Sequence, residues 1–395
     1  MQSLPPEGAA VAARMLDIQP FHVMDILARA RALEAAGRSI IHMEIGEPDA
    51  PTAAPIIQAG IAALQAGHTH YTPALGLPAL RAAIADFYAS RYGVHIDPAR
   101  VVVTSGSSGA LLLAMGVLLN PGDEVLLADP GYPCNRHFVR FVEGCAVNIP
   151  VTAQTRFQLQ AAHIAQHWGE RSRVALVASP ANPTGMLLSK NELRDLHAAV
   201  SQRGGTLIVD EIYHGLTYGC EAATALVVSD DIFVINSFSK YFGMTGWRLG
   251  WMIAPESFIP ALDRLAQNLF LAAPTPAQHA ALAAFQPETL AILEARRAEF
   301  AQRRDFLLPA LRALGFDLPL APEGAFYLYA GCGAFTQDSR RFASDILEQA
   351  GVAITPGLDF GSFESDTHVR FAYTTTLPKL EQGVERLARF LRGGA

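Results

Sequence analysis

The sequence predicts an α/β fold, in which a large unit with a mostly parallel sheet between helices is joined to a smaller α+β unit. Three observations predict it. Strand-like runs in the middle of the chain are apolar throughout rather than alternating, which is the pattern of strands buried on both faces. Helical segments separate these runs, as crossovers between parallel strands require. After about residue 256 the pattern changes to long helices followed by three short strand-like runs.

In chain order, the first twenty residues read as an arm without regular structure, and "MDILARARALEAAG" then repeats apolar residues at helical spacing up to Gly37. A short strand, "IIHMEIG", leads into the turn-rich "GEPDAPTAAP". "PALRAAIADFYASRYG" is a helix closed by Gly93. "VVVT", "EVLLA", "VALVAS", "TLIVD", "IFVIN" and "LGWMIA" are the buried strands. "SKNEL" opens a helix between two of them, with Ser189 and Glu192 spaced as a capping box. "GAFYLYA", "GVAIT" and "HVRFAY" supply the strands of the smaller unit. The expected division is 48–285 for the large unit, and 1–47 with 286–395 for the small one. No internal repeat is present.

Composition narrows the function. The 395 residues are 50% hydrophobic and 17% charged, with a net charge of −7 and no basic stripe, which argues against nucleic-acid binding. The N-terminus places Pro, Glu and Arg where a signal peptide needs its apolar core, and no segment approaches a membrane-spanning run. Cys134, Cys145, Cys220 and Cys332 form no C-x-x-C pair and read as reduced, mostly buried thiols. A cytoplasmic location is the expectation. Twelve histidines show no metal-ligand spacing; His68 and His70, the nearest pair, read as surface or loop residues, so no metal is expected.

The chain carries only three lysines, Lys190, Lys240 and Lys379, against 27 arginines. Lys240 sits in the small-residue turn of "SFSKYFGMTGWRLGW", just past a strand. An amine can form an imine with a carbonyl, which a guanidinium at neutral pH does not. Ser237 and Ser239 offer hydroxyls beside it, and Arg248, among Trp247, Leu249 and Trp251, reads as a poorly solvated cation that needs an anion. In "TSGSSGALLL" a strand ends and a helix begins, so Gly106, Ser107 and Ser108 can turn N–H groups and hydroxyls toward an anion. Together these make a phosphate site. Asp210 ends the strand of "LIVDEIY" and calls for a cation opposite, while Tyr213 and, in "SPANPTG", Asn182 stand ready as donors. A lysine imine, a phosphate site, a buried carboxylate and polar donors are together what pyridoxal 5′-phosphate needs.

The motifs "IGEPDAPT", "HYTPALG", "PGDEVLLADPGYP", "NPTG", "VDEIY", "SFSKYFGMTGWRLGW", "PEGAFY" and "HVRFAY" run through nearly the whole chain. In these the sequence resembles the class I/II aminotransferases of fold type I, in their aspartate/aromatic-like branch. The resemblance implies that Tyr132 stacks on the cofactor ring and that Tyr71 reaches the phosphate in a neighbouring subunit, hence a homodimer. It implies that Gly46 meets the substrate α-carboxylate through its backbone and that Arg370 grips it bidentately, with Asn182 nearby. It also implies ping-pong transfer of an amino group between an L-amino acid and a 2-oxo acid. Elimination by a C–S β-lyase on the same fold is the alternative. No second cation is evident for a distal carboxylate, so an apolar or aromatic amino acid is the expected donor, or broad specificity including glutamate.

Overall fold

The computed structural model describes residues 11–393. The first ten residues of the expected arm lie outside this range. The rest of the arm is not wholly irregular, because Ala13–Leu16 form a short 3-10 turn. Helix α1 (His22–Ala35) follows and ends beside Gly37, whose φ of +87° only glycine adopts freely. Strand β1 (Ile41–His42) is shorter than "IIHMEIG" suggests. Helices α2 (Ala54–Gln65) and α3 (Pro78–Tyr92) come next, α3 closed by the left-handed Gly93 as expected.

The large sheet is built from β2 (Val101–Thr104), β3 (Glu124–Asp129), β4 (Cys145–Pro150), β5 (Ser172–Ala178), β6 (Thr206–Asp210), β7 (Phe233–Ser237) and β8 (Gly250–Ile253). Their order is β2-β8-β7-β6-β5-β3-β4, parallel throughout except that β8 runs against both its neighbours. β4 was not evident in the sequence. It is an edge strand whose side chains are mostly part-exposed or exposed, so it carries no apolar run.

Successive residues of each strand point to opposite faces. Val102, Val125, Leu127, Val174, Leu176, Ile208 and Met252 pack into one core, with helix α4 (Gly106–Leu118) and Leu262 of the helix Ile259–Leu269. Val101, Val103, Leu126, Ala175, Val177, Leu207 and Val209 pack into the other, with α3 and the helix Lys190–Ser201. Both faces are covered by apolar packing, which is why these strands show no polar alternation. The capping box at Ser189 forms, with Ser189 N donating to Glu192 Oε2 at 2.7 Å.

The C-terminal part adds β9 (Tyr327–Gly331), β10 (Val352–Ala353), β11 (Thr355–Pro356) and β12 (His368–Ala372). The segment "GVAIT" is thus split between two sheets. β10 pairs in parallel with β1, while β11, β12 and β9 form an antiparallel sheet in that order. The chain after β1 continues this seam, since Ala372 N donates to Met43 O at 2.6 Å and Thr355 Oγ1 to Glu44 O at 2.9 Å.

Of the four cysteines, Cys332 alone is buried; Cys145 and Cys220 are exposed, which corrects the expectation of mostly buried thiols. All four are free. Among the described residues no helix is long and apolar enough to cross a membrane.

Ile208 is fully buried on the central strand β6. Ile208→Ala should cost about 2–5 kcal/mol of stability, read as a shift of the urea midpoint without change of slope. A loss of less than about 1 kcal/mol would contradict the packing described.

Candidate active site

β5, β6 and β7 end at one edge of the large sheet, and a cleft of about 900 Å³, its open mouth included, lies there. Ligands collect at this edge because the loops leave the strands here. Gly46, Ser107, Ser108, Tyr132, Asn182, Asp210, Tyr213, Ser239, Lys240, Arg248 and Arg370 all line it. Eleven of the fourteen residues singled out in the sequence are therefore brought together.

The turn after β7 aims Lys240. Ser237 Oγ donates to Leu249 O at 3.2 Å and bonds Ser239 Oγ at 3.0 Å, and Phe238 N donates to Leu249 O. The Phe238 ring is wedged among Phe242, Phe285 and Trp251, which anchors the turn from below. Lys240 Nζ then reaches across to donate to Gly46 O at 2.7 Å. Burial is the main cause that brings its pKa down to about 8, assisted by the positive charges of Arg370 and Arg248 and opposed by Glu47 and Asp210.

Asp210 ends β6 and is 5% exposed. Burial pushes its carboxyl up to about 7, against the pull of the Ile212 N–H and of Lys240. Tyr213 and Tyr327 share a hydrogen bond of 2.8 Å between their hydroxyls. Sequence reasoning missed Tyr327. The signal available was a hydroxyl on a strand otherwise read as apolar, which when buried must find a partner.

Arg370, on β12, is 2% exposed. Its guanidinium carbon lies 4.2 Å from the centre of the Tyr327 ring and 4.8 Å from that of Phe360. Nη1 donates to Asn182 Oδ1 at 2.9 Å and Nη2 to Glu44 O at 2.6 Å. Nε has no partner. Nη2 also lies 3.4 Å from Thr355 Oγ1, so the direct hydrogen-bond acceptors are neutral oxygens and two of the five N–H groups, on Nε and Nη1, stay unpaired.

Arg248 corrects an expectation. It is exposed rather than poorly solvated, with Nη1 donating to Thr245 O at 3.0 Å and a φ of +55°. Its guanidinium lies over Gly106, where a Cβ would come within 2.6 Å of Nη2. Gly106 itself lies beneath Arg248 rather than in the cleft wall, and Ser237 is buried behind Ser239. Tyr71 is 83% exposed and does not line this cleft. Among the described residues no three His, Cys, Asp or Glu side chains converge to hold a metal.

The residues fit pyridoxal 5′-phosphate by the chemistry of their donors. Ser107 and Ser108 stand in the first turn of α4, whose N–H groups no intrahelical carbonyl can meet. With Ser239 and Arg248 they line the cleft with donors suited to a phosphate, and Asp210 and Lys240 line the same cleft.

The family model for class I and II aminotransferases matches residues 38–387. The chain belongs to this family. As an aminotransferase it is an enzyme that transfers amino groups with pyridoxal 5′-phosphate as cofactor. It is 39% identical to the valine–pyruvate aminotransferase of Mycobacterium tuberculosis over 95% of this chain and 97% of that protein. It is 36% identical to the (5-formylfuran-3-yl)methyl phosphate transaminase of Methanocaldococcus jannaschii, over 96% and 98%. The crystal structure of an aminotransferase from Mycobacterium tuberculosis superposes with a TM-score of 0.94 at 39% identity, over 98% of this chain and 100% of that one. These relatives do not favour elimination as the main reaction.

The titration of Asp210 has a sign that can be checked. Folded, it keeps its proton up to about pH 7; unfolded, it releases it near the ordinary carboxylate value of about 4. Between these values the folded state binds the extra proton, so stability falls as pH rises. In the cofactor-free aminotransferase, Asp210→Asn should therefore melt above the unsubstituted protein at about pH 8, with the gap closing toward about pH 4. A gap that is constant with pH would contradict the burial argument.

Proposed function

We propose that the aminotransferase moves an amino group between an L-amino acid and a 2-oxo acid by a ping-pong mechanism, with Lys240 as covalent anchor and proton carrier. One observation carries the reading: Lys240 Nζ, Asp210 and the part-paired guanidinium of Arg370 all face one cleft. Bound there, the cofactor supplies an aldehyde that exchanges for the substrate's amino group and a ring that accepts electrons as the Cα–H bond breaks.

The chain's own residues do the rest. Lys240 is a competent base because its amine, lowered to about 8, is substantially neutral at mildly alkaline pH. Nζ takes the proton from the substrate Cα and later releases it. Asp210 holds negative charge against the ring nitrogen. Asn182, its Oδ1 engaged by Arg370, keeps its N–H₂ as donor, and Tyr213 is held by Tyr327. Ser107, Ser108, Ser239 and Arg248 receive the phosphate, with Gly106 and Ser237 shaping that cradle from behind. Tyr132 covers the ring. Arg370 grips the α-carboxylate, with Gly46 beside it.

The same reading divides the chain into a cofactor-binding unit, 48–285, and a small unit formed by 1–47 with 286–395. It makes the enzyme a cytoplasmic homodimer in which Tyr71 completes the neighbouring phosphate site. The 83% exposure of this tyrosine, in a chain that buries most aromatics, supports that role.

Lys240→Ala should abolish turnover and prevent borohydride from fixing any cofactor mass on its peptide; retained activity would end the proposal. Arg370→Ala should raise KM for the amino acid roughly 10- to 100-fold, as the loss of charge-assisted hydrogen bonds implies, with a smaller effect on kcat. For the dimer, Lys240→Ala and Tyr71→Ala protomers should each be impaired alone. Refolded together they should recover activity, because each mixed dimer contains one intact site. No recovery would remove Tyr71 from the neighbouring site.

A further inference from the structure

Helix α1 has no cap of its own. Its N-cap position is Phe21, which carries no acceptor, so the first N–H groups of the helix need an oxygen from elsewhere. Asp359 supplies both: Oδ1 accepts from His22 N and Oδ2 from Val23 N, each at 2.8 Å. The carboxylate is 1% exposed and comes from a turn more than three hundred residues away in sequence. A negative charge at a helix N-terminus is favourably placed against the dipole.

This distant cap has a consequence for the cleft. The residues it fixes, Phe21, Val23 and Met24, line the cleft together with Ile45, Arg370 and Lys240. The wall is apolar. The lining cations that this chain contributes to its own cleft are Lys240, Arg248 and Arg370, and none of them stands on this wall. The turn that bears Asp359, Gly357–Asp359, runs directly into Phe360, whose ring lies against the Arg370 guanidinium. Arg136 Nη2 pins the same turn by donating to Asp359 O at 3.0 Å. One short piece of backbone therefore sets both the grip on the α-carboxylate and the distance from it to the apolar wall.

We propose that Asp359 is a positioning residue, which holds the first turn of α1 as the wall of the substrate side-chain pocket, and that this wall selects monocarboxylic amino acids with apolar side chains over aspartate and glutamate. The inference rests on the aminotransferase reading of the cleft.

The test uses cofactor-loaded enzyme titrated with carboxylates that lack an amino group and cannot react: propionate, 4-methylpentanoate and succinate. Each methylene buried against the wall should tighten binding about fourfold, so 4-methylpentanoate should bind at least about tenfold tighter than propionate. Succinate should bind no tighter than propionate. Asp359→Ala should weaken 4-methylpentanoate by about tenfold while leaving propionate within about twofold, and Asp359→Asn, which keeps one acceptor oxygen, should fall between. Amide hydrogen exchange in the peptide that spans residues 21–27 should speed up in the Ala variant.

Succinate binding as tightly as 4-methylpentanoate would overturn the selectivity. Equal weakening of propionate and 4-methylpentanoate in both variants, or no weakening of either, would overturn the role of Asp359. Failure of the aminotransferase reading looks different: borohydride then fixes no cofactor on Lys240 of the unsubstituted protein, and the inference falls with it.

Discussion

Desolvation at the carboxyl ends of β6 and β7 moves two pKa values toward each other, that of Asp210 up to about 7 and that of Lys240 down to about 8. Neither group meets a full counter-charge inside the chain. Asp210 is answered by one backbone N–H, and Lys240 Nζ by the Gly46 carbonyl. Buried charges without partners are costly, and a fold retains them where a ligand brings the missing charge. In the proposed function a protonated ring nitrogen would be such a partner for Asp210. Arg370 differs because a guanidinium does not escape its charge by releasing a proton. It is stabilised instead by two aromatic faces and neutral oxygens, with no carboxylate among its hydrogen-bond acceptors.

Groups from distant parts of the chain can meet at this edge because backbones approach closely at a few glycines. At Gly46 a Cβ would fall 1.9 Å from the Tyr327 hydroxyl, so any side chain would push that tyrosine away from Tyr213. At Gly250 a Cβ would lie 2.7 Å from Ser107 N, at the start of α4. The phosphate cradle therefore depends on β8 lying directly beneath the helix start. Serine hydroxyls alone would not define it, because Ser237 spends its hydroxyl on the scaffold of the turn.

The fold was legible where burial is two-sided. "VALVAS" and "TLIVD" carry their assignment in composition alone, since Val174, Ala175, Leu176 and Val177, and likewise Leu207, Ile208 and Val209, alternate between two cores. β4 was not legible, because an edge strand with a mixed surface has no such signature. In the site, residues at strand ends could be read from local context: Lys240, Asp210, Asn182 and Arg370 each sit where an apolar run stops or is interrupted. Arg248 was misjudged because apolar sequence neighbours do not determine where a long side chain points. With a left-handed backbone it turns out over Gly106 and into solvent. Tyr327, Phe360 and the wall from α1 could not be found locally, because their meaning lies in contacts made across hundreds of residues.

This separation has a chemical counterpart. The groups assigned to the cofactor, from Ser107 to Arg248, hang on the large sheet and on α4, which pack into the two apolar cores. The groups assigned to the substrate sit on β12, on the segment after β1, and on the turn Gly357–Asp359 with the helix it caps. Those elements meet the cleft from the side of the small antiparallel sheet. A change in the first turn of α1 or at Asp359 can thus reshape what the pocket accepts while Lys240, Asp210 and the phosphate cradle stay where they are. Retuning the substrate need not disturb the chemistry, because the two are carried by different packing.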